Sequence, residues 1–145
     1  MPQPPEISEL LCFAVYSAGH AFNRVYKPLL DEIGLTYPQY LAMILLWEKD
    51  DQTVGELGGR LFLESSTLTP LLKRLETLGL VSRSRDPADE RQVRVRLTSE
   101  GRALRAKAQR IPGCILEATG LTVEGLQRLT TQVAALRDRL TKAGE

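Results

Sequence analysis

Apolar positions along this chain recur at helical spacing in several blocks and alternate at strand spacing in one. From Glu64 to Leu80 (ESSTLTPLLKRLETLGL), Leu68, Leu71, Leu72, Leu75 and Leu78 fall on one stripe of a helix, with Ser66, Thr69, Pro70, Lys73 and Thr77 opposite and Thr67 and Arg74 flanking. The stripe predicts a helix N-capped at Ser65 or Ser66 and closed by Gly79 as its C′ residue. Pro70 removes an early amide donor, which predicts a loose or late start. The polar face is hydroxyl-rich at one end and basic further along. That chemistry suits base edges and phosphates in a major groove, although alone it fits a solvated face better.

The neighbouring patterns decide between these readings. Upstream, Thr53-Val-Gly-Glu56 reads as a capping box opening a short helix that carries Leu57 and Leu61. Downstream, Val81 to Arg85 and Val93 to Leu97 read as strands around DPADER, with Val93, Val95 and Leu97 alternating against Arg94 and Arg96. A helix-turn-helix followed by a charged hairpin is a winged helix-turn-helix, in a chain that is otherwise mainly α.

The flanks are helical and unusually greasy. Ile7 to Ile33 reads as one long helix, containing Pro28 and closed by Gly34. Its Leu10, Leu11, Phe13, Ala14, Val15, Ala18, Phe22 and Val25 occupy most of the circumference, more than one-sided packing covers. A helix begun at Thr36 or Tyr37, with Pro38 in its first turn, runs through Leu41 to Trp47 as core, up to the acidic break Glu48 to Asp51. Thr98 caps a basic helix to about Ile111, Pro112-Gly113 interrupts or kinks it, and Thr122 caps a last helix with Val123, Leu126, Leu129, Val133, Leu136 and Leu140 in helical spacing. The reading is a single domain over 1–145, with 53–97 as the winged helix-turn-helix and 7–34 and 98–145 as dimerisation helices of a homodimer.

Length and charge narrow the classes. At 145 residues one core suffices. The start MPQPPEISEL lacks a basic n-region, and the apolar run Tyr40 to Trp47 is far shorter than the roughly 18 residues a bilayer span needs, so a cytoplasmic protein with no membrane segment is expected. The net charge is only +1, yet Arg60 to Arg110 holds 12 basic and 6 acidic residues while the remainder is net −5. That asymmetry fits a polyanion footprint on one surface. His20 is the only histidine, and with two cysteines it makes no convincing metal site; neither a metal nor a cofactor is expected.

Cys12 is the one residue with chemistry of its own. Helical rotation brings Tyr16, Gly19, Asn23 and Tyr26 onto its side of the first helix, a polar stripe on an apolar rod. Near the helix N-terminus the backbone's partial positive charge favours a thiolate, the form that attacks a peroxide, and Tyr16 at i+4 is placed to donate a hydrogen bond. Tyr26 lies about 21 Å along the axis, too far for its own chain's sulfur but within reach of a partner's if two first helices cross antiparallel. A cysteine among apolar residues also reads as a small buried hydrophobe. Cys114, beside Ile115 and Leu116, reads either as packing or as a second thiol.

Together the long first helix, the helix-turn-helix, the DPADER wing and two closing helices resemble the MarR family of dimeric winged-helix regulators over almost the whole chain. LLCFAVYSAGHAFNRVYKPLL, GLTYPQYLAMILLWE and LTPLLKRLETLGLVSRSRDPADER resemble its organic hydroperoxide-sensing branch, the OhrR repressors, with Cys12 followed by Tyr16, Tyr26 and Tyr37 as the specific part. The resemblance implies that Tyr26 and Tyr37 support the partner's Cys12, and that Cys114 is the resolving thiol of a two-cysteine sensor. It also implies that Asp89 shapes a wing tip that sends Arg91 into the minor groove. The expected DNA-binding set is Ser65, Ser66, Thr67, Thr69, Pro70, Lys73 and Arg74 on the helix, with Arg83, Arg85, Asp89, Arg91 and Arg94 in the wing. The expected function is a repressor, not an enzyme. It holds a pseudo-palindromic operator in double-stranded DNA until an organic hydroperoxide, its inducer, oxidises Cys12. A repressor released by a non-covalent aromatic ligand is the alternative. A thiol peroxidase would need turnover with a reductant, and a nucleoid-type protein would not distinguish operator from random duplex.

Overall fold

The middle of the chain finds its own cover. In the computed structural model, which describes residues 3–145, the elements run α1 (Leu11–Asp31), α2 (Tyr37–Glu48), β1 (Gln52–Thr53), α3 (Val54–Leu61), α4 (Ser65–Thr77), β2 (Val81–Arg85), β3 (Val93–Leu97), α5 (Ser99–Ala108), α6 (Ile111–Thr119) and α7 (Val123–Ala143). Met1 and Pro2, at the head of the proline-rich start, lie outside the described residues. Two compact units divide the chain, one ending at Gln109 and the other beginning at Arg110.

In the first unit the core is built where α2, α3, α4 and the sheet meet. Met43, Leu46, Leu57, Leu68, Leu72, Leu75 and Val95 are all fully buried, each contributing about 1.5–3 kcal/mol of burial. Thr36 caps α2 through a reciprocal pair: Gln39 N donates to Thr36 Oγ1 at 3.4 Å and Thr36 N to Gln39 Oε1 at 2.9 Å. The sheet is antiparallel in the order β1-β3-β2, with Arg83 opposite Val95 and Thr53 opposite Arg94. β1 is a third strand that no sequence pattern announced, because two residues carry no periodicity. Gly79 closes α4 at φ 79°, with Gly79 N donating to the Glu76 carbonyl and Leu80 N to that of Leu75, a Schellman turn. It hands the chain straight into β2. Trp47 Nε1 donates to the Gly101 carbonyl at 2.9 Å, and a Cβ at Gly101 would collide with the Leu80 carbonyl oxygen, so α5 packs close only because that residue is glycine.

Five expectations are corrected, three of them helix boundaries. The first helix starts at Leu11, not Ile7: Ile7–Glu9 is a separate 3-10 turn closed by the Glu6–Glu9 box, and Leu10 is extended. α4 is capped at Glu64, not Ser65 or Ser66, and runs regularly from Ser65, so Pro70 causes no late start. Proline loses only its bond to the carbonyl of Ser66, which is exposed and open to water. Thr53 caps α3 by accepting from Glu56 N at 3.1 Å, the forward half of the expected box, while its backbone is engaged in the sheet. Leu78 is 49% exposed, because it is the C-cap from which the chain turns away. The break after α5 falls at Gln109 and Arg110, and Pro112 sits in the first turn of α6, where a missing N–H leaves no bond unmade.

In the second unit Ile111 and Ile115 of α6 are buried. Thr122 caps α7 by accepting from Gly125 N at 3.0 Å. α7 buries none of its residues, and Val123, Leu129, Val133 and Leu140 are all exposed.

Candidate functional site

Two clusters in the first unit carry the predicted chemistry. On α4 the sequence-selected residues form one open face: Ser65, Ser66, Thr67, Pro70, Lys73 and Arg74 are exposed and Thr69 is half-buried. Leucines hold the opposite side, so the helix presents hydroxyls in its first turns and cations beyond them. The DPADER turn is organised from its carboxylates. Asp86 Oδ1 accepts from Ala88 N at 2.8 Å, and Asp86 N donates to the Gln92 carbonyl at 2.9 Å. Asp89 accepts from Arg91 N at 3.1 Å and from Arg91 Nε at 3.0 Å. The Arg91 side chain is nonetheless 90% exposed at the tip. Arg85 crosses the hairpin to the Glu90 carbonyl at 2.8 Å.

Two of the expected DNA-binding arginines are spoken for by the protein itself. Arg83 donates from its backbone and guanidinium to Glu76, tying β2 to α4. Arg94 donates to Asp51 Oδ1 at 2.8 Å, to the Asp51 carbonyl at 3.1 Å and to Asp86 Oδ2 at 3.0 Å. Alternation placed Arg94 on the sheet face away from the apolar core, but that face is covered by carboxylates rather than left for a ligand. Glu76, Asp51 and Asp86 were therefore missed; the only signal for Asp51 and Asp86 was the acidic character of the turns that hold them, and Glu76, inside α4, gave none. The carboxyls of Asp51, Asp86 and Asp89 are all held below the usual carboxylate range, by the Arg94 hydrogen bond, the Ala88 backbone amide and the Arg91 hydrogen bond respectively.

The second cluster lies along α1 and α2. Cys12 is the second residue of α1 and is exposed. The Tyr16 ring stands edge-on against His20 at a centroid distance of 4.5 Å. Tyr26 and Tyr37 are brought together, with ring centroids 4.7 Å apart, and Tyr40 joins them at 6.0 Å from Tyr26. Burial first, then the neighbouring Tyr37 and Tyr40, push the Tyr26 hydroxyl up to about 12, so it remains a hydrogen-bond donor throughout the physiological range. Beside the pair opens a cavity of about 380 Å³ lined by Asn23, Tyr26, Leu30, Leu35, Thr36 and Tyr37. Tyr40 went unselected because it reads as core, and it is indeed buried.

Cys114, in the second unit, lies in the first turn of α6 with Arg110 Nη1 donating to its sulfur at 4.0 Å. Among the described residues no group of three metal-ligating side chains gathers, and no helix is long and apolar enough to cross a membrane.

Comparison with known proteins meets this geometry. The family model for the transcriptional regulators SarA/Rot matches residues 24–107. The chain is 50% identical over 137 residues to the HTH-type transcriptional regulator TtmR of Methylorubrum extorquens (strain PA1), covering 94% of this chain and 70% of that one. It is 44% identical over 135 residues to the organic hydroperoxide resistance transcriptional regulator of Bacillus subtilis (strain 168), covering 93% and 92%. Among solved structures it is similar to reduced AbfR bound to DNA, at 34% identity and a TM-score of 0.74 over 93% of this chain and 92% of that one. A disulfide-formed state of AbfR matches at 35% identity and a TM-score of 0.63, over 92% and 88%.

Proposed function

Since the chain belongs to the MarR-like winged-helix transcriptional regulators, the SarA/Rot family whose model it matches, we propose that it is a homodimeric repressor released from its operator when an organic hydroperoxide oxidises Cys12. One observation carries the reading. Tyr26 and Tyr37 meet at the edge of an apolar-floored cavity, about 21 Å along α1 from the chain's own thiol. Cys12 near the start of α1 and the hydroxyls suited to support it, Tyr26 in the C-terminal half of α1 and Tyr37 at the start of α2, thus sit far apart within one chain, and an antiparallel second copy brings them together. The exposed apolar length of α1 supplies the surface for that copy.

At the DNA, the open face of α4 reads the major groove and Arg91 enters the minor groove beside it, with two half-sites about one helical turn apart. At the thiol, peroxide delivers one oxygen to the Cys12 sulfur and leaves as the alcohol; the resulting sulfenic acid condenses with the partner's Cys114 thiol, expelling water and forming a disulfide. Such a regulator works in the cytoplasm, where its DNA is.

A gel-shift titration of the protein on the DNA upstream of its own gene tests this. Release by cumene hydroperoxide, reversal by dithiothreitol, and full binding without release in Cys12→Ser are the expected results. Release of Cys12→Ser at wild-type peroxide concentrations refutes the thiol as sensor. The competing reading, a non-covalent aromatic inducer, is favoured by the same cavity; it predicts release that dithiothreitol does not reverse.

A further inference from the structure

The wing's ion-pair system contains a residue whose role differs from that of its neighbours, and the inference about it rests on the DNA-binding part of the reading above. Arg91 pairs with Asp89 yet keeps its side chain 90% exposed at the tip, whereas the Arg94 side chain is only 25% exposed and makes three hydrogen bonds to Asp51 and Asp86. One arm grips Asp51, which sits in the left-handed region at φ 60° in the turn between α2 and β1. The other grips Asp86, whose second oxygen and backbone amide close the DPADER turn. From Asp86 the order passes along the turn: Asp89 N donates to the Asp86 carbonyl at 3.2 Å, and Asp89 holds Arg91. The same α2–β1 turn is anchored again through Asp50, which accepts from Leu97 N at 2.8 Å and pairs with Arg102 at 3.0 Å.

We propose that Arg94 is a positioning residue for DNA binding: it does not touch the duplex, but by clamping Asp86 to Asp51 it fixes the loop that presents Arg91. Backbone pairing alone leaves this weakly determined, since β1 contributes only two residues to the sheet and the turn beyond β2 and β3 has no third strand beside it. The guanidinium supplies the missing constraint in two directions at once, which an ammonium does not reproduce.

The test is a double-mutant cycle on the intact dimer, using a duplex from upstream of its own gene at several salt concentrations. Arg94→Gln and Arg91→Ala should each weaken binding about tenfold and lower the salt slope by about one. The double variant should be weaker than either by no more than about twofold, because the second change removes a contact already lost. Additive losses near a hundredfold would mean that Arg94 contacts DNA itself, and wild-type binding by Arg94→Gln would mean that the clamp is idle; either overturns the proposal. Asp86→Asn, which weakens only one arm, repeats the cycle if Arg94→Gln does not fold. A readout without DNA separates this from the regulator reading: hydrogen exchange at the Asp89 and Gln92 amides should accelerate in Arg94→Gln while the α4 amides stay protected. Unchanged exchange there rejects the clamp whether or not the wild type binds the duplex.

Discussion

α4 and α1 start from similar material and end in opposite conditions. α4 closes Leu68, Leu72 and Leu75 completely into the core, whereas α1 buries only Leu30 and leaves Leu11, Phe13, Val15, Phe22 and Val25 exposed. The difference is not in the residues but in what the chain can bring against them. α4 has α2, α3 and the sheet around it, while α1 touches its own unit mainly through its C-terminal end, at Leu30 and the tyrosines. Under the proposed reading, the apolar length of α1 is covered by a second copy of the chain. The winged-helix region closes its own core, and α1 leaves most of its apolar length uncovered.

The contrast is sharpest in stability. Leu72→Ala should cost about 2–5 kcal/mol, read as a lower denaturant midpoint, because a fully enclosed side chain leaves a cavity. Phe22→Ala should cost much less in dilute monomer; a loss equal to that of Leu72→Ala would mean that α1 is a core helix after all. Next in size is assembly. Phe22→Glu should weaken self-association by roughly a hundredfold in sedimentation experiments, a charge being stranded in an apolar interface, while the circular dichroism of the winged-helix region stays native. A dimer of unchanged strength would place the interface elsewhere.

Smaller is the effect at the site that joins the two regions. Tyr26→Phe should slow peroxide release about tenfold by removing a hydrogen bond to the reacting sulfur, with operator affinity untouched. In mixed dimers left with one Cys12, the rate should be near that of wild type when Tyr26→Phe and Cys12→Ser lie on different chains and slow when both lie on the same chain. Identical rates in both arrangements would break the cross-subunit argument.

Smallest is the pH dependence. Tyr26 titrates at about 12 in the fold against an ordinary value of 10.0, so the unfolded chain loses this proton first as pH rises. Its contribution to stability is fully present below pH 10.0 and is lost as pH climbs through about 12. Alkaline denaturation of Tyr26→Phe should accordingly be shallower than that of wild type. At the acid end the sign reverses. Asp51, Asp86 and Asp89 have carboxyls lowered below 3.8, so the wing's ion pairs are intact above that value and are lost as pH falls through the depressed ones.

Periodicity alone was enough for the order of the helices, for both strands of the wing, though not for β1, and for the buried leucines of α4, because hydrophobic spacing is a local property that core packing then enforces. Thr36, Thr98 and Thr122 announced their helices for the same reason, a cap being satisfied within one turn of itself. The resemblance singled out Tyr26 and Tyr37 as supports for the partner's thiol, but that their rings meet each other, and that the Tyr16 ring stands against His20, only the fold decided, because a shared helix face does not say which neighbour a ring meets. Tertiary structure alone decided the fate of the arginines. Arg83, Arg91 and Arg94 look alike in a basic, alternating stretch, yet one is clamped to Glu76, one pairs with Asp89 while its side chain stays exposed at the wing tip, and one is locked between Asp51 and Asp86. Asp51 lies 43 residues from Arg94 in the chain, and the strength of a charge pair depends on distance in space, which spacing in sequence does not encode.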